Sequence, residues 1–314
     1  MIQAIERLLE HDTAGDPMGR RLKWTRKTTR KISRELGCAG ITVSPNTVGR
    51  LLQELRYALR VNHKKHALHA SHPDRNRQFD HIATTRRSFQ RRALPSISVD
   101  TKKKELVGRF KNPGAVWAQA PIVVNDHDFR SDALGMAIPY GIYDIGANQG
   151  HLFVGTSHDT PAFAADAIAR WWVRDGRPRY PKARELLILA DSGGSNGPRN
   201  AAWKHQLQEK LCDRFGLSVT VCHYPPGTSK WNPIEHRLFG EVSKNWAGVP
   251  LESYDTILNY IRSTTTETGL KVKATLLPRH YPTGIRVAPE DIAGLQLQPR
   301  NVLPLWNYTI ECRQ

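Results

Sequence analysis

The sequence predicts an α/β protein: a mixed β-sheet with flanking helices, preceded by an all-α region. Three observations carry this. Apolar runs of strand length, bounded by Gly, Pro or polar residues, occur at 96–100, 138–145, 152–156, 186–190 and 217–222. Segments of helical periodicity separate the later runs, notably 162–175. Ahead of residue 95 the apolar residues recur only at helical spacing.

Residues 1–23 are weakly patterned, with Ile5, Leu8 and Leu9 suited to one short amphipathic turn. The abrupt start leads to the expectation of a further N-terminal portion ahead of it. From Trp24 to Leu59 two helices are expected. The first, Thr28 to Leu36, carries Ile32 and Leu36 on one side, and 37–43 is a turn. Ser44 caps the second, with Pro45 at its first position. Val48, Leu51, Leu52, Leu55 and Leu59 form its apolar stripe, and Asn46, Thr47, Arg50, Gln53 and Arg56 lie opposite. The pair reads as a helix-turn-helix within residues 1–60, its second helix entering a major groove, or as a plain helical hairpin with a solvated basic face. The nearby Lys23, Arg26, Lys27, Arg30, Lys31 and Arg34 favour the first reading.

Residues 61–94 form a basic connector. Pro73 opens a helix with Phe79, Ile82 and Phe89 inside and Arg75, Arg77, Arg86, Arg87, Arg91 and Arg92 outside, facing phosphate or solvent. Pro95 ends it. The strand from Ser96 then ends on Asp100 and runs into Lys102, Lys103 and Lys104. Residues 107–120 read as a loop or short hairpin and Pro121 to Val124 as a short strand, with Asp126, Asp128 and Asp132 as turn residues. The runs at 138–145 and 152–156 flank a hairpin turn at 146–150. Asp159 is read as the cap of the next helix, Ala162 to Asp175, whose Phe163, Ala167, Ile168, Trp171 and Trp172 suit a core.

The most informative stretch is 185–246. The run Leu186 to Ala190 ends on Asp191 and a glycine-rich segment, and a further strand spans Leu217 to Cys222. Asn232 and Pro233 then open a helix. Glu235, three residues past that cap, fits a capping box. It also lies in line with Leu238, Phe239 and Val242, which turns it toward the sheet and Asp191. Two carboxylates converging at a strand end are costly without a cation, so a divalent metal site is expected. The order is three strands, helix, strand, helix, strand, helix, with the first strands antiparallel and the later ones parallel. Acids stand at the ends of the first and fourth strands and the start of the last helix. This is the arrangement of a ribonuclease H-like fold, expected over 95–250, with 251–314 packing on it or on a second subunit. That tail contains an amphipathic stretch, Tyr254 to Ile261, a strand candidate, Lys271 to Leu277, and a Pro-rich end with Trp306 and Tyr308.

The chain of 314 residues carries a net charge of +17 with a pI near 10.0. That excess implies a polyanionic partner, most simply nucleic acid. Cys38, Cys212, Cys222 and Cys312 form no CxxC pair, which fits a reduced compartment and excludes a structural zinc site of that type. The histidines, concentrated between His63 and His81, show no metal-ligand spacing. No signal peptide or membrane-length apolar run is found, so a cytoplasmic protein is expected.

Four blocks resemble a known family: Ser98-Val99-Asp100-Thr101-Lys102-Lys103-Lys104-Glu105, Pro139-Tyr140-Gly141-Ile142-Tyr143-Asp144, Ala190-Asp191-Ser192-Gly193-Gly194-Ser195-Asn196-Gly197, and His223 through Pro225-Pro226-Gly227-Thr228-Ser229-Lys230-Trp231-Asn232-Pro233-Ile234-Glu235 to Phe239. They resemble the ISAzo-type, or Rhodopirellula-type, DDE insertion-sequence transposases, over most of the chain from Trp24 onward. The resemblance implies a bacterial, nucleoid-associated enzyme with a catalytic and metal-binding triad at Asp100, Asp191 and Glu235. It implies Mg²⁺ or Mn²⁺ and terminal inverted repeats of DNA as targets, and the mechanism expected from it is two-metal phosphoryl transfer, in which Asp100 would serve both ions. A homo-oligomer on double-stranded DNA is expected. Lys102, Lys103, Lys230 and Arg237, with Asn46, Thr47, Arg50 and Gln53, are the expected DNA contacts. The N-terminus is shorter than in members of that family, which puts autonomous transposition in doubt. Two competing readings are a non-catalytic DNA-binding remnant or repressor, and a structure-specific nuclease that cuts without joining.

Overall fold

The computed structural model describes residues 1–10, 14–15, 23–24, 27–58 and 73–313. Leu59, Arg26 and the first part of the basic connector, with its histidines up to His72, lie outside the described residues. The chain divides into two compact units, Met1–Ala70 and Ser71–Gln314.

The first unit contains α1 (Ile2–Glu10), a short antiparallel ladder of β1 (Ala14–Gly15) and β2 (Lys23–Trp24), α2 (Thr29–Cys38) and α3 (Pro45–Glu54). The single turn expected near Ile5 is a full helix, because Ile5 and Leu9, four residues apart, both find apolar partners in Ile32, Leu36, Val48 and Leu51. Both later helices start on side-chain caps. Thr28 accepts from the Lys31 amide at 3.2 Å, and Ser44 accepts from the Thr47 amide at 3.1 Å. Asn46, Arg50 and Gln53 stand exposed on α3, and Thr47 is half-buried with its hydroxyl bonded to that of Ser44.

The second unit opens with α4 (Arg75–Arg91). It continues with β3 (Ser96–Thr101), β4 (Glu105–Val107), β5 (Gly135–Asp144), β6 (Gln149–Gly155), α5 (Pro161–Trp171), α6 (Arg177–Arg179), β7 (Glu185–Ala190), α7 (Ala201–Leu207) and β8 (Ser218–His223). A widened π turn, Glu235–Phe239, leads into α8 (Gly240–Asn245), followed by α9 (Tyr254–Arg262), β9 (Lys271–Leu277), α10 (Pro289–Ala293), β10 (Leu297–Pro299) and β11 (Asn307–Ile310).

The sheet runs β10-β11-β8-β7-β3-β5-β6-β9, with β4 pairing the start of β5. β3, β5 and β6 are antiparallel neighbours, and β7 and β8 lie parallel to β3 on its other side. This is the ribonuclease H-like order expected from the sequence. The strand at 271–277 is present and pairs parallel to β6, while β11 pairs antiparallel to β8. The C-terminal residues therefore do more than pack on the sheet: they cover both of its edges, where β6 and β8 would otherwise present unpaired backbone groups. Pro121 to Val124 is not a strand. Val123 is 84% exposed, and the segment has neither an alternating apolar face nor a strand to pair with.

Helices cover both faces. Ile97 and Val99 of β3 point into a core with Phe163, Ile168, Trp171 and Trp203, where both tryptophans of α5 and its extension are buried as expected. On the other face the π turn, α8 and α9 cover β5, β6 and β9, and Ile82 and Phe89 of α4 cover Leu187, Leu189 and Cys222. A buried amide network holds α4 in place. The Gln78 Nε2 donates to the His223 carbonyl at 2.7 Å, and the Asn307 Nδ2 donates to Gln78 at 2.6 Å. Among the described residues no helix is long and apolar enough to cross a membrane.

Candidate active site

Strand β3 alternates, so Ile97 and Val99 face one core while Ser96, Ser98 and Asp100 face the opposite side. β3 and β7 run parallel with Val99 opposite Ala190, so Asp100 and Asp191 follow side by side at the two strand ends. Each carboxylate is fixed by the next residue's amide: Thr101 donates to Asp100 at 2.7 Å and Ser192 to Asp191 at 2.6 Å.

Glu235 is brought in by its helix. On the far side of β3, Asp100 pairs with Gly141 of β5. A Cβ there would stand 2.4 Å from the Phe239 ring and 2.8 Å from Ile234, and one at Gly150 of β6 would stand 2.4 Å from Leu238. The two glycines let the helix lie directly on the strands. Ser98 pins its first turn, accepting from the Ile234 amide at 3.1 Å and donating to the Asn232 carboxamide oxygen. Asn232 is therefore not a solvent-facing cap: it is fully buried and turned to the sheet. Glu235 makes no capping contact, and its carboxyl is turned toward the Asp100 and Asp191 carboxylates, whose charges act on it.

The electrostatics follow. Burial, then Asp191, Glu235 and Asp159, push Asp100 up to about 7. Burial raises Asp191, and burial with the Asp191 charge raises Glu235. Among the described residues no three His, Cys, Asp or Glu side chains stand in ligating geometry around one point, so the centre is a coupled carboxylate cluster rather than a closed cage. Its chemistry still fits a hard divalent cation: the donors are all oxygens, and their mutual repulsion is what such an ion relieves.

Asp159 was missed as part of this site. Thr160, not Asp159, caps α5, accepting from the Phe163 amide at 3.2 Å. Asp159 instead accepts from the Thr101 hydroxyl at 3.2 Å and lines, with Asp100, Asp191 and Lys103, a cleft of about 330 Å³. His223 was missed too. Its Nδ1 lies 3.0 Å from the Asp191 carbonyl, which can only accept, so Nδ1 carries the proton and Nε2 accepts from the Tyr308 hydroxyl at 3.1 Å. Burial lowers it to about 4, keeping it neutral.

The expected DNA contacts divide. Lys103, Lys230 and Arg237 are exposed, and of the three Lys103 lines the cleft with Asp100 and Asp191. Lys102 is not available to a phosphate: its side chain is 7% exposed, its ammonium sits 3.2 Å from Glu105 and 4.4 Å from the centre of the Trp246 ring. The physical reason is the acid three residues on, which draws the ammonium inward, where its charge also acts on Glu235.

The fold and the site can be set beside known proteins. Three-dimensional similarity is found to a pre-cleavage Mos1 transpososome, at 14% identity and a TM-score of 0.45, covering 83% of this chain and 69% of that one. A Mos1 mariner paired end complex with Mn is similar at 16% identity and a TM-score of 0.42, with 83% and 69% covered. No curated protein matches the sequence. The profile described as the Rhodopirellula transposase DDE domain matches residues 4–312, and the chain belongs to that family.

Proposed function

We propose that the protein is a DNA transposase that cleaves DNA strands at terminal inverted repeats and joins the freed ends to a target. The single observation that supports this reading is the placement of Asp100 and Asp191 at adjacent strand ends, with Glu235 at one helix start close enough for the three charges to act on one another. These three carboxylates would hold two Mg²⁺ or Mn²⁺ ions. When bound, such ions supply an activated water or 3′-hydroxyl nucleophile and charge neutralisation at the leaving oxygen.

The chain's own residues do the rest. His223 holds the Asp191 backbone, and Ser98 with Asn232 holds the helix start that carries Glu235. Lys103, Lys230 and Arg237 bind phosphates around the acids, while Asn46, Arg50 and Gln53, supported by Thr47, read base edges from α3. Two copies on paired element ends, in the bacterial cytoplasm, complete the reading.

The test is incubation with end-repeat DNA and Mg²⁺. Nicks and joined products are expected, with Asp191→Asn still folding and binding DNA but not cleaving it. A binding-only remnant would give no nicks, a nuclease would give nicks without joined strands, and a cleaving Asp191→Asn protein would remove the assignment.

A further inference from the structure

We infer that a second anion site lies at the opposite end of β3 from the carboxylates and takes a phosphodiester of the same DNA. The inference rests on the DNA-processing reading above and extends it to a cleft away from the carboxylates, where two of the arginines expected to face phosphate or solvent come together.

The exposed side of α4 and the start of β3 enclose a cleft of about 620 Å³, closed by the β5–β6 turn and Tyr180. Arg86 and Arg87 line it, and neither makes an ion pair among the described residues. The Arg87 Nε donates to the Ala83 carbonyl at 3.3 Å, which leaves its terminal amines available. The acids close by are already neutralised. Asp144 is fully buried and receives Arg179 at 3.2 Å, the Tyr180 hydroxyl at 3.0 Å and the amides of Gly146 and Ala147 at 3.1 Å. Glu185 pairs with Arg92. The field in the cleft is therefore set by two free guanidiniums.

The floor supplies an independent sign. The Ser96 hydroxyl lines the cleft, is buried, and has no hydrogen-bond partner within the protein. Buried hydroxyls are almost always satisfied, and this one, with almost no accessible surface, meets a phosphate oxygen once the floor of the cleft opens slightly. Leu94 and Ile145 lie between the polar groups. An apolar strip flanked by cations suits a deoxyribose and its phosphodiester better than a fully hydrated free phosphate.

The position suits a strand that also reaches the acids. Ser96 and Asp100 share one face of β3, four residues apart, or about 13 Å at roughly 3.3 Å per residue. That is about four nucleotide steps at ~3.4 Å per step. Arg237, on the Glu235 helix, and Arg86 both act on the Tyr143 hydroxyl, so the cationic groups continue from one site to the other.

The test is fluorescence anisotropy with a labelled end-repeat duplex over a NaCl series, without divalent cation. For a folded Arg86→Gln/Arg87→Gln protein, affinity is expected to fall about tenfold or more at low salt, and the slope of log K against log salt to shrink by about one to two units. The Arg86→Lys/Arg87→Lys protein, which keeps the charge, is expected to retain most of the slope. Shortening the duplex stepwise from each end should remove the same increment from the wild type and leave the glutamine variant unchanged. An unaltered slope and affinity in a glutamine variant that melts like the wild type would overturn the inference. So would stabilisation of the wild type by inorganic phosphate, lost in the variant, with DNA binding untouched. Because binding is read without metal, failure here and failure of the cleavage test on Asp191→Asn are separate results.

Discussion

Asp100 shows what the site costs. Its folded pKa, about 7, lies above the ordinary 3.8, so the sign is that of a raised acid. Between those values the unfolded chain loses the proton while the folded one keeps it, and above 7 the folded protein carries an unfavourable buried charge. Without divalent cation, Asp100→Asn should therefore melt above the wild type at pH 8, by roughly 2–4 kcal/mol in stability, and match it near pH 4. Thermal melts at the two pH values check this; an Asn variant that is less stable at pH 8 would show that repulsion is not what surrounds Asp100. His223, lowered to about 4, loses stability as pH falls from 6.5, but it does so in both proteins and cancels in the difference. At this scale the strand-end acids were legible, because an apolar run that stops on Asp marks the end of a buried strand. Asp159 was not, since its partner Thr101 lies 58 residues away, and Lys102 was not, since the Trp246 ring that completes its pocket beside Glu105 is more distant still in sequence.

At the scale of elements, the approach of the Glu235 helix to β5 and β6 decides whether three acids meet. Gly141 and Gly150 are needed for closeness rather than for a turn. Gly141→Ala places a methyl against Phe239 and Ile234, which an alternative packing must absorb at about 1–3 kcal/mol. Cleavage by that protein should fall more than DNA binding does, because Glu235 moves while the basic surface stays; equal loss of both would argue against a positioning role. The stripe of Leu238, Phe239 and Val242 made the inward turn of Glu235 readable. The role of Asn232 was not readable: its side chain bonds Ser98, 134 positions away, and a cap-forming residue before Pro looks the same in sequence whichever way it faces. Strands β3, β5, β6, β7 and β8 followed from periodicity, while the three-residue β4 is too short to show a pattern. β10 and β11 did not, since their register is set by the open edge of β8 rather than by any pattern of their own.

At the scale of the whole molecule, the proposed function would divide the labour between the two units. Under that proposal the net charge of +17 would supply sequence-independent attraction to DNA, which salt should weaken steeply. Discrimination between sequences is assigned to the exposed face of α3. Arg50→Ala should cost about 1–3 kcal/mol of preference for the end repeat over random DNA, read from paired affinities at one salt concentration. A uniform loss on both DNAs would make Arg50 a phosphate contact instead. The second unit would then act wherever the first unit and the basic surface hold the duplex, through the proposed centre of three carboxylates.

That centre is tested most directly by titrating the metal-free protein with Mn²⁺ and following bound ion by electron paramagnetic resonance. The wild type should take up Mn²⁺, and Asp100→Asn, Asp191→Asn and Glu235→Gln should each bind it at least tenfold more weakly while remaining folded. Undiminished binding in all three variants would contradict the account.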